Sequence, residues 1–93
     1  MTLQATHPGR EVAIRIFEMG MSLSQFARSI DVSNSRISEI ASEKRGITID
    51  TAIKIARAFG TTPEYWLDKQ QEYDLFMKQK NSEQQKVPSW KKL

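Results

Sequence analysis

Apolar residues recur at helical spacing along most of this chain, and breaks in that rhythm divide it into five short segments. The first follows His7-Pro8-Gly9, where a proline suits a first helical turn that needs no amide hydrogen. Val12, Ile16 and Met19 fall at i, i+4 and i+7, with Ala13 and Phe17 widening the stripe. Gly20 supplies a stop, so the pattern predicts a helix over about residues 9–19. Ser22 is a good N-cap for a second helix, Ser22–Ile30, with Phe26, Ala27 and Ile30 inward and Gln25, Arg28 and Ser29 wet. Ala27 is small, as a close helix crossing requires. Asp31 then falls at a turn position that often needs a left-handed backbone, which aspartate tolerates better than most residues.

Val32 can plug that turn, and Ser33 caps a third helix, Ser33–Ser42. Ile37, Ile40 and Ala41 form its apolar face, while Asn34, Ser35, Ser38, Glu39 and Ser42 make the opposite face entirely polar. Lys44 to Thr48 is a basic connector. Asp50 is expected to cap a fourth helix, Thr51–Phe59, with Ala52, Ile53, Ala56 and Phe59 inward and Gly60 at its end. The fifth helix starts at Thr61-Thr62-Pro63-Glu64. Thr61 with Glu64 fits a capping box, and Thr62 with Pro63 fits a proline at the first position. This helix carries Tyr65, Trp66, Leu67, Tyr73, Leu75, Phe76 and Met77. From Lys78 the chain turns polar and lysine-rich, which predicts a flexible basic tail over 78–93, with Trp90 either unstructured or a partner-binding anchor. Residues 1–6 read as a flexible N-terminus, leaving one all-α domain over residues 7–77.

Within that domain, Ser22–Arg45 has the layout of a helix-turn-helix, whose second helix can enter a DNA major groove. The net charge of +3 has the right sign, but residues 78–93 carry five lysines against Glu83, a net +4, so residues 1–77 sum to −1. Any DNA-binding charge must then be local, at Arg28, Arg36, Lys44 and Arg45. There are no cysteines, no signal-peptide pattern and no apolar run of the ~20 residues that a membrane helix needs. A soluble cytoplasmic protein with one small core follows as the expectation. Catalysis finds no support, since the sequence has no nucleophile–base pair, no glycine-rich phosphate loop and no metal-ligand cluster, and its one histidine, His7, fits a capping or turn role. No cofactor is implied.

The outer face of the third helix supplies the candidate chemistry. Its first amides, the Ser33 hydroxyl and Ser42 can bond phosphates, which orients the helix without reading sequence. Asn34 can bond adenine bidentately, and Ser35 and Ser38 can donate to or accept from base edges. Arg36 can reach guanine or a phosphate. Glu39 can accept from a cytosine amino group or act against wrong sites. Lys44 and Arg45 fit backbone contacts whose loss should flatten the salt dependence. Leu23, in the first turn of the second helix, is out of place as a phosphate contact.

The helix-turn-helix resembles the XRE class of five-helix Cro/C1-type (lambda repressor-like) domains. Two further segments resemble antitoxins of the HigA type: His7-Pro8-Gly9, and the run from Arg45-Gly46-Ile47-Thr48 to Gly60-Thr61-Thr62-Pro63-Glu64-Tyr65-Trp66-Leu67, with Tyr73-Asp74-Leu75 after it. The resemblance covers about residues 7–77 and implies a homodimer with two tasks. It would neutralise a HigB toxin similar to RelE-like mRNA endonucleases, and it would bind a palindrome in double-stranded operator DNA to repress its own operon. Family DNA contacts carry over onto Ser33–Arg36, Ser38, Ser42 and Lys44. This chain departs from many relatives in having Arg10 after His-Pro-Gly, and Ser42-Glu43 where relatives often have Asn-Gly. Without that glycine the recognition helix is expected to run to Lys44 and stop at Gly46, and Glu43 to repel nearby phosphate.

Reading a palindrome requires two recognition helices about one DNA turn apart, ~34 Å. The aromatic start of the fifth helix carries more apolar surface than one small core absorbs, which points to Pro63, Trp66 and Leu67 as two-fold interface residues. The competing functions are a stand-alone XRE-family regulator without a toxin, and an adaptor whose helix-turn-helix binds only protein.

Overall fold

A computed structural model describes residues 5–85. Among them are five helices and no strand: α1 (Pro8–Glu18), α2 (Leu23–Ser29), α3 (Asn34–Ala41), α4 (Ile49–Phe59) and α5 (Pro63–Gln85). The all-α architecture expected from the sequence is what forms. Val12 and Ile16 from α1, Phe26 and Ala27 from α2, and Ile37 and Ile40 from α3 meet Ile55 and Ala56 of α4 and Trp66 of α5 in a single buried cluster.

The starts and ends of the helices explain why the short segments stay apart. Ser22 and Gln25 form a reciprocal capping box on α2, at 2.9 and 3.0 Å. The Ser33 hydroxyl accepts from the Arg36 amide at 3.1 Å to cap α3. At α5 the Thr62 hydroxyl accepts from the Tyr65 amide, which selects Thr62 with Pro63 over the Thr61 capping box. Thr61 instead accepts the indole N–H of Trp66 at 2.7 Å. Each of the first four helices is closed by a left-handed residue, with the next amide reaching back to the carbonyl five residues earlier. Glycine fills that position at Gly20 and Gly60, but Asp31 (φ 59°) and Glu43 (φ 66°) fill the other two.

Several expectations are corrected. On α1 the buried face is Pro8, Gly9, Val12 and Ile16, so Phe17, 82% exposed, and Met19 turn to solvent. On α4, Thr48 occupies the cap position and Asp50 lies inside the first turn. The inward face there is Thr51, Ala52, Ile55 and Ala56 with Phe59 half-buried, while Ile53 is exposed. Ile53 sits one helical step beside Ala52, outside the i, i+3, i+4 stripe that packs. At α5 the helix continues through the boundary expected at Lys78, as far as Gln85. Lysine, glutamine and glutamate sustain a helix already nucleated by residues 63–77, and neither Pro nor Gly intervenes. Residues 1–4 and 86–93, Trp90 included, lie outside the described residues.

His7-Pro8-Gly9 joins α1 to the rest of the domain. The buried His7 Nδ1 accepts from the Gly9 amide at 2.9 Å, and its ring meets Tyr73 of α5 edge-on, with centroids 4.9 Å apart. Burial holds the imidazole below its ordinary value of 6.5, against the raising influence of the Glu43 and Asp74 charges and a backbone hydrogen bond at Arg45. The neutral ring is therefore the form that folds. Between its depressed folded pKa and 6.5 the unfolded chain binds more protons, so stability falls as pH drops through that window and is fully present above it. Melting temperature should rise with pH up to about 6.5 for this reason, and His7→Asn, which keeps a cap acceptor, should flatten that rise. An unchanged profile in the variant would assign the dependence to another group.

Candidate nucleic-acid interface

The presentation of α3 begins with what lies beneath it. Ile37 and Ile40 are completely buried, and α2 and the start of α1 pack against them. Gly9 brings α1 so close that a Cβ there would stand 1.7 Å from the Ile40 carbonyl oxygen. The turn that leads into α3 is fastened from the other side: the Lys54 ammonium of α4 donates to the Asp31 carbonyl at 2.8 Å. With both flanks held, Ser33, Asn34, Ser35, Arg36, Ser38 and Ser42 are all exposed, and Glu39 is half-buried.

The start of this helix suits an anion. The Ser33 hydroxyl uses a lone pair for the Arg36 amide, so its own hydrogen remains free to donate to a phosphate oxygen. The amides of Asn34 and Ser35 have no intrahelical acceptor by helix geometry, and the dipole adds to their pull. The far end differs from the expectation. The helix stops at Ala41, because Glu43 takes the left-handed conformation and the Lys44 amide returns to the Glu39 carbonyl at 2.8 Å. Ser42 Oγ donates to that same carbonyl at 3.3 Å, so its proton is turned toward its own helix. Arg45 Nε donates to Glu39 Oε1 at 2.7 Å, which joins two candidates that the sequence treated separately. Lys44 remains exposed beside them.

Sequence reasoning missed what anchors the connector. Gln70 of α5 accepts from the Ile47 amide at 2.9 Å and donates to Asp74 at 2.9 Å, so α5 fixes the path of the chain leaving α3. Leu23 is explained here: it is partly buried against the core and serves α2 packing. Trp66 is corrected as an interface residue. Its side chain is 0% exposed within one protomer, 5.7 Å from Phe59 and with the Arg15 guanidinium 5.5 Å from its ring centroid, so it has no surface to offer a partner. Pro63 and Leu67 are half-buried.

Glu43 is the strained member of the site. A left-handed conformation costs a residue with a Cβ roughly 1–2 kcal/mol. The greater freedom of an unfolded glycine offsets roughly 0.5–1 kcal/mol of what Glu43→Gly recovers. The variant should therefore be slightly more stable, by up to about 1 kcal/mol in chemical unfolding, and bind DNA more tightly because a carboxylate near phosphate is gone. Lower stability in Glu43→Gly would contradict the strain.

A packed helical support that holds a capped, exposed, polar helix beyond its surface defines a DNA-binding domain of the helix-turn-helix type. Among known families, the helix-turn-helix family HTH_3, of the XRE type, matches residues 13–66, and the chain belongs to it. It is 40% identical over 82 residues to Virulence-associated protein I of Dichelobacter nodosus, covering 87% of this chain and 76% of that one. Among its structural neighbours are HigA-family antitoxins. An addiction module antidote protein of a HigA family from Coxiella burnetii superposes with a TM-score of 0.81 at 38% identity, over 89% of this chain and 91% of that one. The Pseudomonas aeruginosa antitoxin HigA, solved with the higBA promoter, gives 0.82 at 31% identity, over 88% and 90%.

Proposed function

We propose that this protein is the antitoxin of a type II toxin–antitoxin module, acting in the cytoplasm. It neutralises a RelE/HigB-like mRNA endonuclease and represses its own operon by binding a palindromic operator as a homodimer. The observation that carries the DNA half is the exposed, polar start of α3, with the Ser33 hydrogen and two helix-start amides available to phosphate and Asn34 and Arg36 beside them. The likeness to antidote proteins supports the toxin half. Asn34 reads adenine, Arg36 reads guanine or grips phosphate, and Ser35 and Ser38 adjust to base edges. The two-fold surface includes Pro63 and Leu67, extended by Ile49 and Ile53, which lie one turn apart on α4 and are 65% and 40% exposed.

Two measurements test the reading. Co-expression with the adjacent reading frame should yield a co-purifying complex with a small basic protein. In a gel shift on its own promoter, Asn34→Ala with Arg36→Ala should abolish specific binding, since each lost base pairing removes ~1–3 kcal/mol of discrimination per half-site. If that double variant binds with the same affinity and salt slope, α3 is not the reading element.

A further inference from the structure

Glu39 is the one charged member of a stripe formed by Ser35, Ser38, Glu39 and Ser42, which recur at i, i+3, i+4 and i+7 on the exposed side of α3. A bare carboxylate there would be repelled by the phosphates flanking a groove. In this protein it is not bare, because Arg45 Nε donates to its Oε1 at 2.7 Å. The pair is not an accident of neighbouring turns, since six residues and a helix end separate the two. The backbone imposes it. Glu43 reverses the chain at φ 66°, the Lys44 amide bonds the Glu39 carbonyl at 2.8 Å, and Arg45 is delivered over the Glu39 side chain. Glu39 is thus held at its carbonyl by one residue and at its carboxylate by the next. Such a pair contributes little to folding, because both side chains are nearly half exposed, at 46% and 44%. It matters when DNA displaces water and the attraction strengthens.

We infer that Glu39 and Arg45 form one reading unit, in which Arg45 neutralises and orients the Glu39 carboxylate so that its second oxygen accepts the exocyclic amino group of a cytosine. The inference rests on the DNA-reading proposal above and names a specificity residue within it. The chemistry selects the base. An ionised carboxylate only accepts hydrogen bonds, and in the major groove the donors are the amino groups of cytosine and adenine. Adenine sets its N7 acceptor beside its amino group, which repels a carboxylate, whereas cytosine does not. Arg45 is then a positioning residue for base readout rather than a phosphate anchor, engaged to the Glu39 carboxylate through its Nε.

Selection of operator half-sites from a randomised duplex library, with affinities at two salt concentrations, tests this on the full chain. The unaltered protein should prefer cytosine at one position of each half-site. Glu39→Gln should shift that position to adenine, which a side-chain amide reads. Arg45→Ala should lose about tenfold of the cytosine preference there and leave the other positions unchanged, and adding Glu39→Ala should cause no further loss at that position. Both side chains are exposed, so an unchanged melting temperature checks that the fold is intact. If Arg45→Ala instead weakens all sequences equally and lowers the salt slope by about one contact, Arg45 is a phosphate anchor and the inference fails. It also fails if Glu39→Gln leaves base preference untouched. Should the unaltered protein select no sequence at all, the DNA-reading proposal falls with it.

Discussion

Gly9→Ala should prevent this protein from folding normally, with a stability loss of about 3 kcal/mol or more, the upper end of overpacking effects. The added methyl would stand 1.7 Å from the Ile40 carbonyl oxygen and 2.8 Å from its carbon. Both are backbone atoms, so no side-chain rotation relieves the clash, and α1 would have to move away from α3. That movement would also pull on His7, whose ring caps the Gly9 amide and rests against Tyr73. Thermal unfolding and heteronuclear NMR of the purified variant give the check. A variant that melts within a degree or two of the parent, with its α3 resonances unmoved, would show that the crossing has slack. Gly20→Ala is the natural control, because open space surrounds that position and its penalty is conformational alone, about 1 kcal/mol once the unfolded glycine's greater freedom is offset.

This crossing gives physical meaning to a motif that the sequence marks only by resemblance. His7 caps, Pro8 starts the helix, and Gly9 lets α1 touch the backbone of the recognition helix near its end. The turn into that helix is held at the Asp31 carbonyl by Lys54, and the connector after it is fastened to Gln70. Helix α3 therefore projects its polar face from a frame built by every other helix. Rigid presentation of this kind lets a nearly neutral domain bind DNA through a few placed groups rather than through bulk charge.

What was legible in the sequence is local. Ser22 and Ser33 act as caps, Gly20 and Gly60 as stops, and Asp31 as a left-handed turn residue, because each depends on atoms within one helical turn. Helix number and order follow from those signals. What was illegible depends on partners far along the chain. The pattern placed Phe17 and Ile53 inward because it fixes a stripe only to within one helical step, and the neighbours decide which edge is covered. Glu43 was expected to continue the helix, as glutamate does by local preference. The connector must instead turn back so that Ile47 reaches Gln70, and tertiary contact overrides propensity. In the candidate site, Ser33, Asn34, Ser35 and Arg36 are exposed at the start of α3, where they could be read from spacing. The Glu39–Arg45 pair could not, because its spacing across a helix end matches no periodic rule.

Trp66 is where the two kinds of information diverge most, and Trp66→Ala is the second large effect expected. Its aromatic surroundings suggested surplus surface for a partner, yet the ring is fully enclosed between Phe59, Tyr65 and the Arg15 guanidinium. Truncation removes a large apolar volume and leaves a cavity, a loss of ~3–5 kcal/mol for a buried Trp→Ala change. It also strips the Thr61 hydroxyl of the indole donor that it meets at 2.7 Å. A domain of this size holds about 5–15 kcal/mol in total, so the loss removes a large share of that margin and should lower the melting temperature by roughly 10 °C or more. Trp66→Phe retains part of the volume without the donor and should lose less than the alanine variant. Because these contacts lie within one protomer, the loss should persist under conditions where the protein is monomeric. Ile53→Ser, on the exposed side of α4, should do the reverse, leaving the monomer stable while weakening self-association. Analytical ultracentrifugation together with urea unfolding separates the two. If Trp66→Ala unfolds at the parental midpoint and shifts only the dimer equilibrium, the ring belongs to the interface after all.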